Sequence, residues 1–462
     1  MKTLKITLQD LFDLESAEIF NPDAYKDCRY VSIDSRSIKK GSLFVAIKGE
    51  RLDGHNFVKD AIRNGASAVM ISEPELKRFD SIDKTIITVK DTTEAYGKLA
   101  NAWRHKLKAK VISLTGSNGK TTTKEILYSL LKKKYKVVKT ESNNNNHIGV
   151  PLTIFNANAN TDVLILEQGT NHFGEIPYTA KISEPDFAFI TNIGDSHLEY
   201  LKTRNGVFDE KSALLNICRD KGGQVLINTD DHILHRNQKK YPNRITFGFK
   251  GNPDIKGKIL GYTPEGKTEI AVTYNNKTFE TALPLYGESN AKNYLAAAAV
   301  VLLMGLKKTE IIEASKKIKP FKQRVNVINK KEFMLIDDTY NANPDSMIAA
   351  IELMNKMKAK SRKIAVLGDM FELGENSADM HANLAGIIMK CKVDEVYTIG
   401  KDMIHLHNFL KTRRVSIQHF DERENLRNFL HNLNLEDAVI LVKGSRGMKM
   451  EEFVEEILSR AN

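Results

Sequence analysis

The stretch Val111-Ile112-Ser113-Leu114-Thr115-Gly116-Ser117-Asn118-Gly119-Lys120-Thr121-Thr122 decides the fold class of this chain. An apolar run leads into two glycines, and apolar residues at helical spacing follow at Ile126, Leu127, Leu130 and Leu131. A strand, a glycine turn and a helix in this order make a phosphate-binding loop, because backbone N–H groups and the helix N-terminus both attract phosphate oxygens. The stretch predicts a site for ATP or another nucleoside triphosphate, formed by Gly116, Ser117, Asn118, Gly119, Lys120, Thr121 and Thr122.

The loop is shorter than the usual phosphate-binding pattern, in which a glycine stands where this chain has Leu114. We expect Lys120 to reach the β- and γ-phosphates and the Thr121 hydroxyl to hold Mg²⁺. The alternative interpretation is a glycine turn between a strand and a helix that binds nothing. We favour the nucleotide site because Gly-Lys-Thr in this context is seldom accidental.

The composition is that of a folded protein with several domains. The 462 residues are 41% hydrophobic and 27% charged, and at roughly 150 residues per domain this length suggests about three domains. The longest apolar run, Leu295 to Leu306, is shorter than the roughly 20 residues that cross a bilayer, so it predicts a buried helix and no transmembrane segment. No secretory signal is visible, so we expect a cytoplasmic location. The wide spacing of Cys28, Cys218 and Cys391 predicts reduced thiols.

The formal net charge of +11 raises the question of a nucleic-acid partner. The basic run Lys132-Lys133-Lys134 has no interleaved aromatic residues, which indicates a solvated helix face. An anionic small substrate explains the positive charge equally well. We therefore expect no nucleic-acid partner.

Apolar runs indicate an α/β protein of three domains. Residues 1–98 alternate short apolar runs with turn signals, which is typical of a small α/β domain. Residues 99–318 carry uninterrupted apolar strands between helical patterns, as in a parallel sheet buried on both faces. The same pattern over residues 319–462 predicts a second doubly wound, Rossmann-like domain. The strands predicted in the last two domains are 111–114, 163–166, 187–190, 363–367, 395–399 and 438–442.

Further motifs along almost the whole chain resemble those of the Mur ligase family, whose members join amino acids to the peptidoglycan precursor. In the central domain they are the phosphate loop and the segments 143–151, 167–171 and 192–197. The motifs of the other two domains are Asp34-Ser35-Arg36, 41–46, 53–57, 337–346, 368–374 and 442–446.

The resemblance implies an ATP-dependent amide ligase with a UDP-sugar-binding first domain, a central P-loop ATPase domain and a C-terminal ligase domain. The C-terminal motifs resemble those of the family member that adds D-alanyl-D-alanine to UDP-N-acetylmuramoyl-tripeptide, so these are the expected partners of a monomeric enzyme. The residues implied for binding the UDP-linked and peptide substrates are Asp34, Ser35, Arg36, Asn146 and Asn171. Those implied for ATP, beyond the loop, are Asn290, Asn293, Arg324, Asp338 and Asn341.

Two positions depart from the family pattern. Near the adenine the family has a histidine where this chain has Ser289, although Asn290 and Asn293 remain. The usual Gly-Arg at the start of the C-terminal domain is Gln323-Arg324 here. An amide can still bind adenine, and the arginine is still available for phosphate or ribose.

The resemblance implies four catalytic residues, Lys120, Glu167, His197 and Lys211. Glu167 ends an apolar strand at the edge where open α/β sheets bind ligands, so it is expected to share Mg²⁺ with Thr121; a strand-end charge without a ligand is the alternative. For His197, chemistry alone favours a structural role because Mg²⁺ prefers oxygen, whereas the resemblance implies a second metal ion. The expected cofactors are ATP and Mg²⁺, or Mn²⁺ in its place.

Lys211 has two interpretations. Sequence alone favours a solvated helix lysine, while the resemblance implies a lysine carbamylated by CO₂ whose oxygens bind the metal. This reaction needs a neutral amine, and we expect the neighbouring Lys120 and the metal to lower the pKa of Lys211.

Side chains of the C-terminal domain fit more than one role. Lys443, Ser445 and Arg446 follow a strand, where they are expected to meet carboxylates of the dipeptide or the nucleotide. Asp369 and Glu372 fit two interpretations equally: acids of an ordinary structural turn, or groups that orient the dipeptide amine.

Three functions compete. The first is completion of the UDP-linked pentapeptide with D-alanyl-D-alanine, with the third peptide residue, diaminopimelate or lysine, left open. The second is another ligase of the superfamily, either the one that adds the third residue, whose typical Asp-Asn-Pro-Arg is absent here, or a folylpolyglutamate synthase. The third is a non-catalytic P-loop regulator, which would not need Glu167, His197 and Lys211.

Overall fold

The computed structural model describes residues 4–263, 265–357, 360–413 and 415–460. It contains three sheets, of five, nine and six strands, each with helices packed against it. The three-domain α/β fold class predicted from the sequence is confirmed.

The first sheet has the strand order β1-β5-β4-β3-β2. Strands β2 to β5 are parallel, and β1 pairs antiparallel with β5 at one edge. The strands are β1 (Glu18–Phe20), β2 (Tyr30–Ser32), β3 (Ser42–Val45), β4 (Ala66–Ser72) and β5 (Thr85–Val89). The helices are α1 (Leu8–Phe12), α2 (Val58–Arg63) and α3 (Thr92–Lys106).

The central sheet has the order β14-β13-β12-β11-β10-β9-β6-β8-β7. The seven strands from β7 to β12 are mutually parallel, and β13 and β14 extend the sheet as an antiparallel hairpin. Its strands are β6 (Lys110–Thr115), β7 (Val137–Lys139), β8 (Val163–Glu167), β9 (Phe187–Ile190), β10 (Gln224–Asn228), β11 (Ile245–Gly248), β12 (Ile255–Tyr262), β13 (Lys267–Tyr274) and β14 (Lys277–Tyr286). Its helices are α4 (Lys120–Leu131), α5 (Gly149–Phe155), α6 (Glu175–Ser183), α7 (Leu198–Leu201), α8 (Arg204–Asp220), α9 (His232–Asn237), α10 (Gly287–Leu303) and α11 (Lys308–Ser315).

The third sheet has the order β15-β16-β20-β17-β18-β19, parallel except for β15 at the edge. Its strands are β15 (Asn326–Asn329), β16 (Phe333–Asp338), β17 (Arg362–Gly368), β18 (Glu395–Ile399), β19 (Ser416–Phe420) and β20 (Ala438–Lys443). Its helices are α12 (Pro344–Lys356), α13 (Ser377–Lys390), α14 (Met403–Leu410), α15 (Arg423–Asn432) and α16 (Glu451–Ser459).

Every strand predicted in the last two domains forms, because apolar runs covered by helices on both faces are stable only as buried parallel strands. The apolar run 295–306 lies largely within the buried helix α10, as predicted. Within the described ranges no helix is both long and apolar enough to cross a membrane. The domain limits at 98 and 318 stay a prediction; the first falls inside α3, which packs on α5 and α6.

The arrangement brings several strand ends to one place. The carboxyl ends of β6 and β8 lie side by side in the central sheet. Those of β16 and β20 lie side by side in the third sheet. Asn343, which follows β16, donates a hydrogen bond to Asn118, which follows β6, across the gap between the sheets. Arg324, which precedes β15, donates to Thr121 at the start of α4. This is the edge at which open α/β sheets bind ligands.

Candidate active site

A cavity of about 780 Å³ lies between the central and third sheets. Most of the nucleotide and metal residues predicted from the sequence line it, together with the predicted substrate residue Asn171: Ser117, Asn118, Gly119, Lys120, Thr121, Thr122, Glu167, His197, Asn290, Asn293, Arg324, Asp338 and Asn341. The predicted residues outside its lining are Asp34, Ser35, Arg36, Gly116, Asn146 and Lys211.

The phosphate loop requires glycine at two positions. Gly116 and Gly119 have φ values of 148° and 81°. Residues with a Cβ atom rarely adopt such positive φ values, whereas glycine does so readily. A Cβ atom at Gly116 would lie 1.9 Å from Thr191 Oγ1, and one at Gly119 would lie 2.1 Å from Asn293 Oδ1. The loop can therefore take this shape, with its backbone close to neighbouring side chains, only with glycine at both places.

Lys120 begins helix α4 at the end of this loop. Its Nζ donates a hydrogen bond to the carbonyl oxygen of Gly116, 2.7 Å away. Burial lowers the pKa of Lys120, while the nearby Glu167 carboxylate opposes that shift. The ammonium group thus lies folded back over the loop, where it can instead contact phosphate oxygens.

Glu167 ends strand β8 with 2% of its surface exposed. Its Oε1 accepts hydrogen bonds from Thr121 Oγ1 and Asn145 Nδ2, each 3.0 Å away. Its Oε2 is buried and accepts no hydrogen bond within the described part of the chain. The buried Nζ of Lys124 is 3.6 Å from that oxygen. A buried carboxylate that bonds a threonine hydroxyl through one oxygen, and whose other oxygen accepts no hydrogen bond in the described ranges, fits the predicted Mg²⁺ position.

Lys211 lies on α8 and is fully buried. Its Nζ has no hydrogen-bond partner among the residues that the structure describes. Burial, with a further contribution from the positive charge of Lys120, holds the pKa of Lys211 well below its usual value. The interpretation as a solvated helix lysine is wrong, because the side chain has no contact with solvent. A neutral, unpartnered amine is the species that carbamylation requires.

His197 contacts a carboxylate from the third sheet. Its Nδ1 lies 2.5 Å from Glu372 Oε2. Burial lowers the pKa of His197, and the hydrogen bond to Glu372 opposes that shift. The same hydrogen bond lowers the pKa of Glu372, so this carboxylate is ionised at neutral pH.

The two acids Asp369 and Glu372 have different surroundings. Glu372 lines the cavity. Asp369 accepts hydrogen bonds from the backbone N–H groups of Asp402 and Met403 and so stabilises a turn.

Arg324 reaches the phosphate loop from the C-terminal part of the chain. Its Nη2 donates to Thr121 Oγ1 at 3.0 Å, and its guanidinium lies 3.8 Å from the centre of the Tyr340 ring. Lys443 is nearly buried and pairs with Asp338 at 2.5 Å, and it donates to the carbonyl of Asn341 at 2.9 Å. The charge of Lys443 is therefore already neutralised within the protein, and it orients Asp338 at the cavity wall.

The sequence reasoning missed several residues in the cavity or beside it. Asn343 Nδ2 donates to Asn118 Oδ1 at 2.9 Å, which joins α12 to the phosphate loop. Arg204 pairs with both Asp195 and Asp345, at 2.7 and 3.1 Å. Asn343 and Asp345 lie in a quoted C-terminal motif, and this was the only sequence signal for them. Lys124 gave no signal, because a lysine within an amphipathic helix usually faces solvent.

The residues predicted for the UDP-linked substrate lie farther from this centre. Arg36 pairs with Asp34 at 2.8 Å in an exposed turn of the first sheet, and Ser35 beside them is buried. Asn146 Oδ1 accepts from the N–H groups of Ile148 and Gly149 and so fixes the start of α5. Asn171 lines the cavity. Binding of substrate by these residues stays a prediction.

The predicted metal set contains only two side chains of the usual ligand types, Glu167 and His197. Across the described ranges, no three His, Cys, Asp or Glu side chains are grouped as a metal site. The remaining oxygens would come from Thr121, from the nucleotide, from water and, if Lys211 is carbamylated, from its carbamate.

The chain matches three models of one protein family. Residues 28–104 match the Mur ligase family catalytic domain, residues 114–301 the Mur ligase middle domain, and residues 323–446 the Mur ligase glutamate ligase domain. The UDP-N-acetylmuramoyl-tripeptide–D-alanyl-D-alanine ligase of Bacillus subtilis (strain 168) is 33% identical over 462 aligned residues, covering 98% of this chain and 99% of the relative.

Two solved structures share the fold of the whole chain. MurF from Acinetobacter baumannii superposes with a TM-score of 0.90 at 29% identity, covering 99% of this chain and 100% of that one. MurF ligase from Thermotoga maritima, solved in complex with ADP, has a TM-score of 0.84 at 30% identity, covering 94% and 97% of the two chains. The chain belongs to the Mur ligase family.

Proposed function

We propose that this protein joins D-alanyl-D-alanine to UDP-N-acetylmuramoyl-tripeptide in an ATP-dependent reaction that completes the UDP-linked pentapeptide of peptidoglycan. The observation that carries this proposal is the similarity to a ligase with that name over 98% of the chain. The buried amine of Lys211 and the Oε2 atom of Glu167, neither of which has a hydrogen-bond partner among the described residues, support a catalytic function over a nucleotide-binding regulator. A regulator has no use for either group.

Forming an amide from a carboxylate requires a leaving group better than oxide. The terminal carboxylate of the tripeptide attacks the γ-phosphorus of ATP, ADP leaves, and an acyl phosphate results. Lys120 lies where its ammonium group can follow the transferring phosphoryl group, so it offsets the repulsion between two anions. Arg324 adds a second positive charge from the other side of the loop.

The expected metal ions are Mg²⁺, which would neutralise the charge that develops on the phosphate oxygens. Thr121 and Glu167 would hold one ion. The hydrogen bond from Asn145 fixes the Glu167 carboxylate so that Oε2 remains available. His197 would hold the second ion together with a modified Lys211.

Carbamylation of Lys211 is part of the proposal. The neutral amine attacks the carbon of CO₂, a C–N bond forms, and the amine loses a proton, which leaves a carbamate anion. Burial beside Lys120 supports this step because it lowers the pKa of the amine and so favours its neutral form. The anion formed then offsets the charge of Lys120 and supplies oxygen ligands.

The second half-reaction is attack of the dipeptide amine on the acyl phosphate, which releases phosphate. The acyl phosphate is also open to hydrolysis, so water has to be excluded while the amine enters. The contacts of Asn343 and Arg324 with the phosphate loop close the cavity from the side of the third sheet and support this role.

The ligase that adds the third residue is the main alternative. This chain lacks the Asp-Asn-Pro-Arg string that is typical of that ligase. A monomeric state and a cytoplasmic location remain part of the proposal, as expected for an enzyme that acts on a nucleotide-linked precursor.

Phosphate release tests the proposed reaction. The rate is measured with ATP, Mg²⁺ and UDP-N-acetylmuramoyl-tripeptide, with and without D-alanyl-D-alanine. We expect release that depends on all three substrates, with one pentapeptide formed per phosphate. Release that is independent of the dipeptide would contradict the proposal.

A further inference from the structure

His197 and Glu372 face each other across the gap between the central and third sheets. Both have left-handed backbone conformations, with φ values of 55° and 63°. Non-glycine residues adopt this conformation at a cost of the order of 1–3 kcal/mol, and such residues concentrate at functional sites. Both sides of this contact therefore hold a backbone conformation that non-glycine residues disfavour.

Two contacts hold this arrangement. The imidazole Nδ1 of His197 lies 2.5 Å from Glu372 Oε2. The backbone N–H of Glu199 donates to the carbonyl oxygen of Glu372 at 3.1 Å. A Cβ at Gly374 would lie 3.3 Å from Glu199 Cα, so the backbones pack closely here. The 372–374 segment of the third sheet therefore docks directly on the turn that carries His197.

The chemistry of this contact determines the tautomer of the histidine. An ionised carboxylate can only accept, so Nδ1 must carry the hydrogen. In the neutral ring, Nε2 then keeps its lone pair. A metal-binding histidine commonly donates its other ring N–H to a carboxylate in this way, which orients the ring and makes it a better ligand.

We infer that Glu372 is a positioning residue for the metal site at His197. It completes this site only when the C-terminal unit, which contains the third sheet, docks on the central unit, which contains the central sheet. The inference deepens the proposed function and rests on it, because it takes His197 as a metal ligand. Binding of the metal and docking of the C-terminal unit then favour each other reciprocally, since each stabilises the arrangement that the other needs.

The test measures metal binding rather than turnover. Mn²⁺ is titrated into the full-length protein with bicarbonate and a non-hydrolysable ATP analogue, and free and bound Mn²⁺ are followed by electron paramagnetic resonance. The His197→Ala variant should no longer bind the ion that His197 holds. The Mn²⁺ signal that is lost in this variant therefore identifies that ion. We expect Glu372→Ala to lower the affinity for that ion by about 10- to 100-fold, which is the usual effect of removing a hydrogen-bond partner of a metal ligand. Glu372→Gln should recover part of the loss, since its amide oxygen can still accept from Nδ1.

Glu375→Ala is the matched control. Glu375 is an exposed carboxylate in the same loop, outside the cavity lining. The Glu375→Ala variant should bind Mn²⁺ with the same affinity as the unaltered protein. Small-angle scattering of the same samples provides a second measurement: Glu372→Ala should need more Mn²⁺ than the unaltered protein to reach its smallest radius of gyration.

The double variant separates positioning from a general effect on the interface. In the His197→Ala background, Glu372→Ala should change Mn²⁺ binding no further. Unchanged Mn²⁺ binding in Glu372→Ala, an equal loss in Glu375→Ala, or no loss in His197→Ala would overturn the inference. Formation of the pentapeptide by the unaltered protein is measured separately, so failure of the proposed ligase reaction is distinguishable from failure of this inference.

Discussion

Arg324 donates a hydrogen bond to Thr121 across 203 positions of the sequence, with 3.0 Å between Nη2 and Oγ1. The same hydroxyl donates to Glu167 Oε1 at 3.0 Å. An arginine from the C-terminal part of the chain is therefore joined through one hydroxyl to a carboxylate at the end of β8. The nucleotide site is complete only when both parts of the chain contribute to it.

Replacing Arg324 tests this shared site. Arg324→Ala should raise KM for ATP and lower kcat/KM by about 10- to 100-fold, because hydrogen bonds of charged groups contribute roughly 1.5–3 kcal/mol. Steady-state kinetics at varied ATP measure the effect. Lys322→Ala, which removes an exposed charge two positions earlier, is the control and should leave KM for ATP unchanged. An unaltered KM in Arg324→Ala would show that the guanidinium does not contact the nucleotide.

Lys120→Ala tests the phosphate loop. The lysine makes one hydrogen bond, to Gly116, so the fold should survive its removal. Its charge stabilises the transferring phosphoryl group, so kcat should fall by at least about 100-fold. The control is Lys132→Ala, an exposed lysine just beyond the end of α4. A Lys120→Ala variant with a normal unfolding temperature and near-normal turnover would contradict the mechanism.

Gly119→Ala and Gly222→Ala form a matched pair. Both glycines have φ near 80°, at 81° and 75°, so alanine costs about 1–2 kcal/mol of stability at either. A Cβ atom at Gly119 also meets Asn293 Oδ1 at 2.1 Å, whereas one at Gly222 meets nothing within 4 Å. Nucleotide binding, measured by calorimetry, should be lost only in Gly119→Ala. Equal nucleotide affinity in the two variants would refute the close packing of the loop on Asn293.

The sequence was sufficient for the parts of the fold that local patterns determine. Apolar runs marked the parallel strands, and the glycines before Lys120 marked the phosphate loop. The hairpin of β13 and β14 was not predicted. Its strands are partly exposed, and a half-exposed strand carries a weaker pattern than a buried one.

Contacts between distant parts of the chain could not be predicted from local pattern. The pairs formed by Glu372 with His197 and by Arg324 with Thr121 depend on how the third sheet docks on the central one. The resemblance to a family indicated Arg324 as a nucleotide residue but left two interpretations for Glu372. The burial of Lys211 depends on the packing of α8, so the sequence favoured a solvated lysine.

The Lys211→Ala variant tests carbamylation. It should be nearly inactive, because the buried space loses its oxygen ligands. Small carboxylic acids such as acetate or propionate should restore part of the activity by filling that space with a carboxylate. The same acids should not restore Lys120→Ala, which lacks a cation instead. A Lys211→Ala enzyme of normal activity, or equal rescue of both variants, would rule out the carbamate.

The most direct test of the central claim compares amine substrates as acceptors and identifies the product of each reaction by mass spectrometry. The protein is incubated with ATP, Mg²⁺, bicarbonate and UDP-N-acetylmuramoyl-tripeptide, and parallel reactions receive D-alanyl-D-alanine, D-alanine, L-lysine or meso-diaminopimelate. A further reaction supplies the UDP-linked dipeptide with L-lysine or diaminopimelate, the substrates of the third-residue ligase. We predict that the tripeptide with D-alanyl-D-alanine gives the pentapeptide and that the other combinations give little or no product. A tripeptide product from the UDP-linked dipeptide, with no pentapeptide from D-alanyl-D-alanine, would contradict the account.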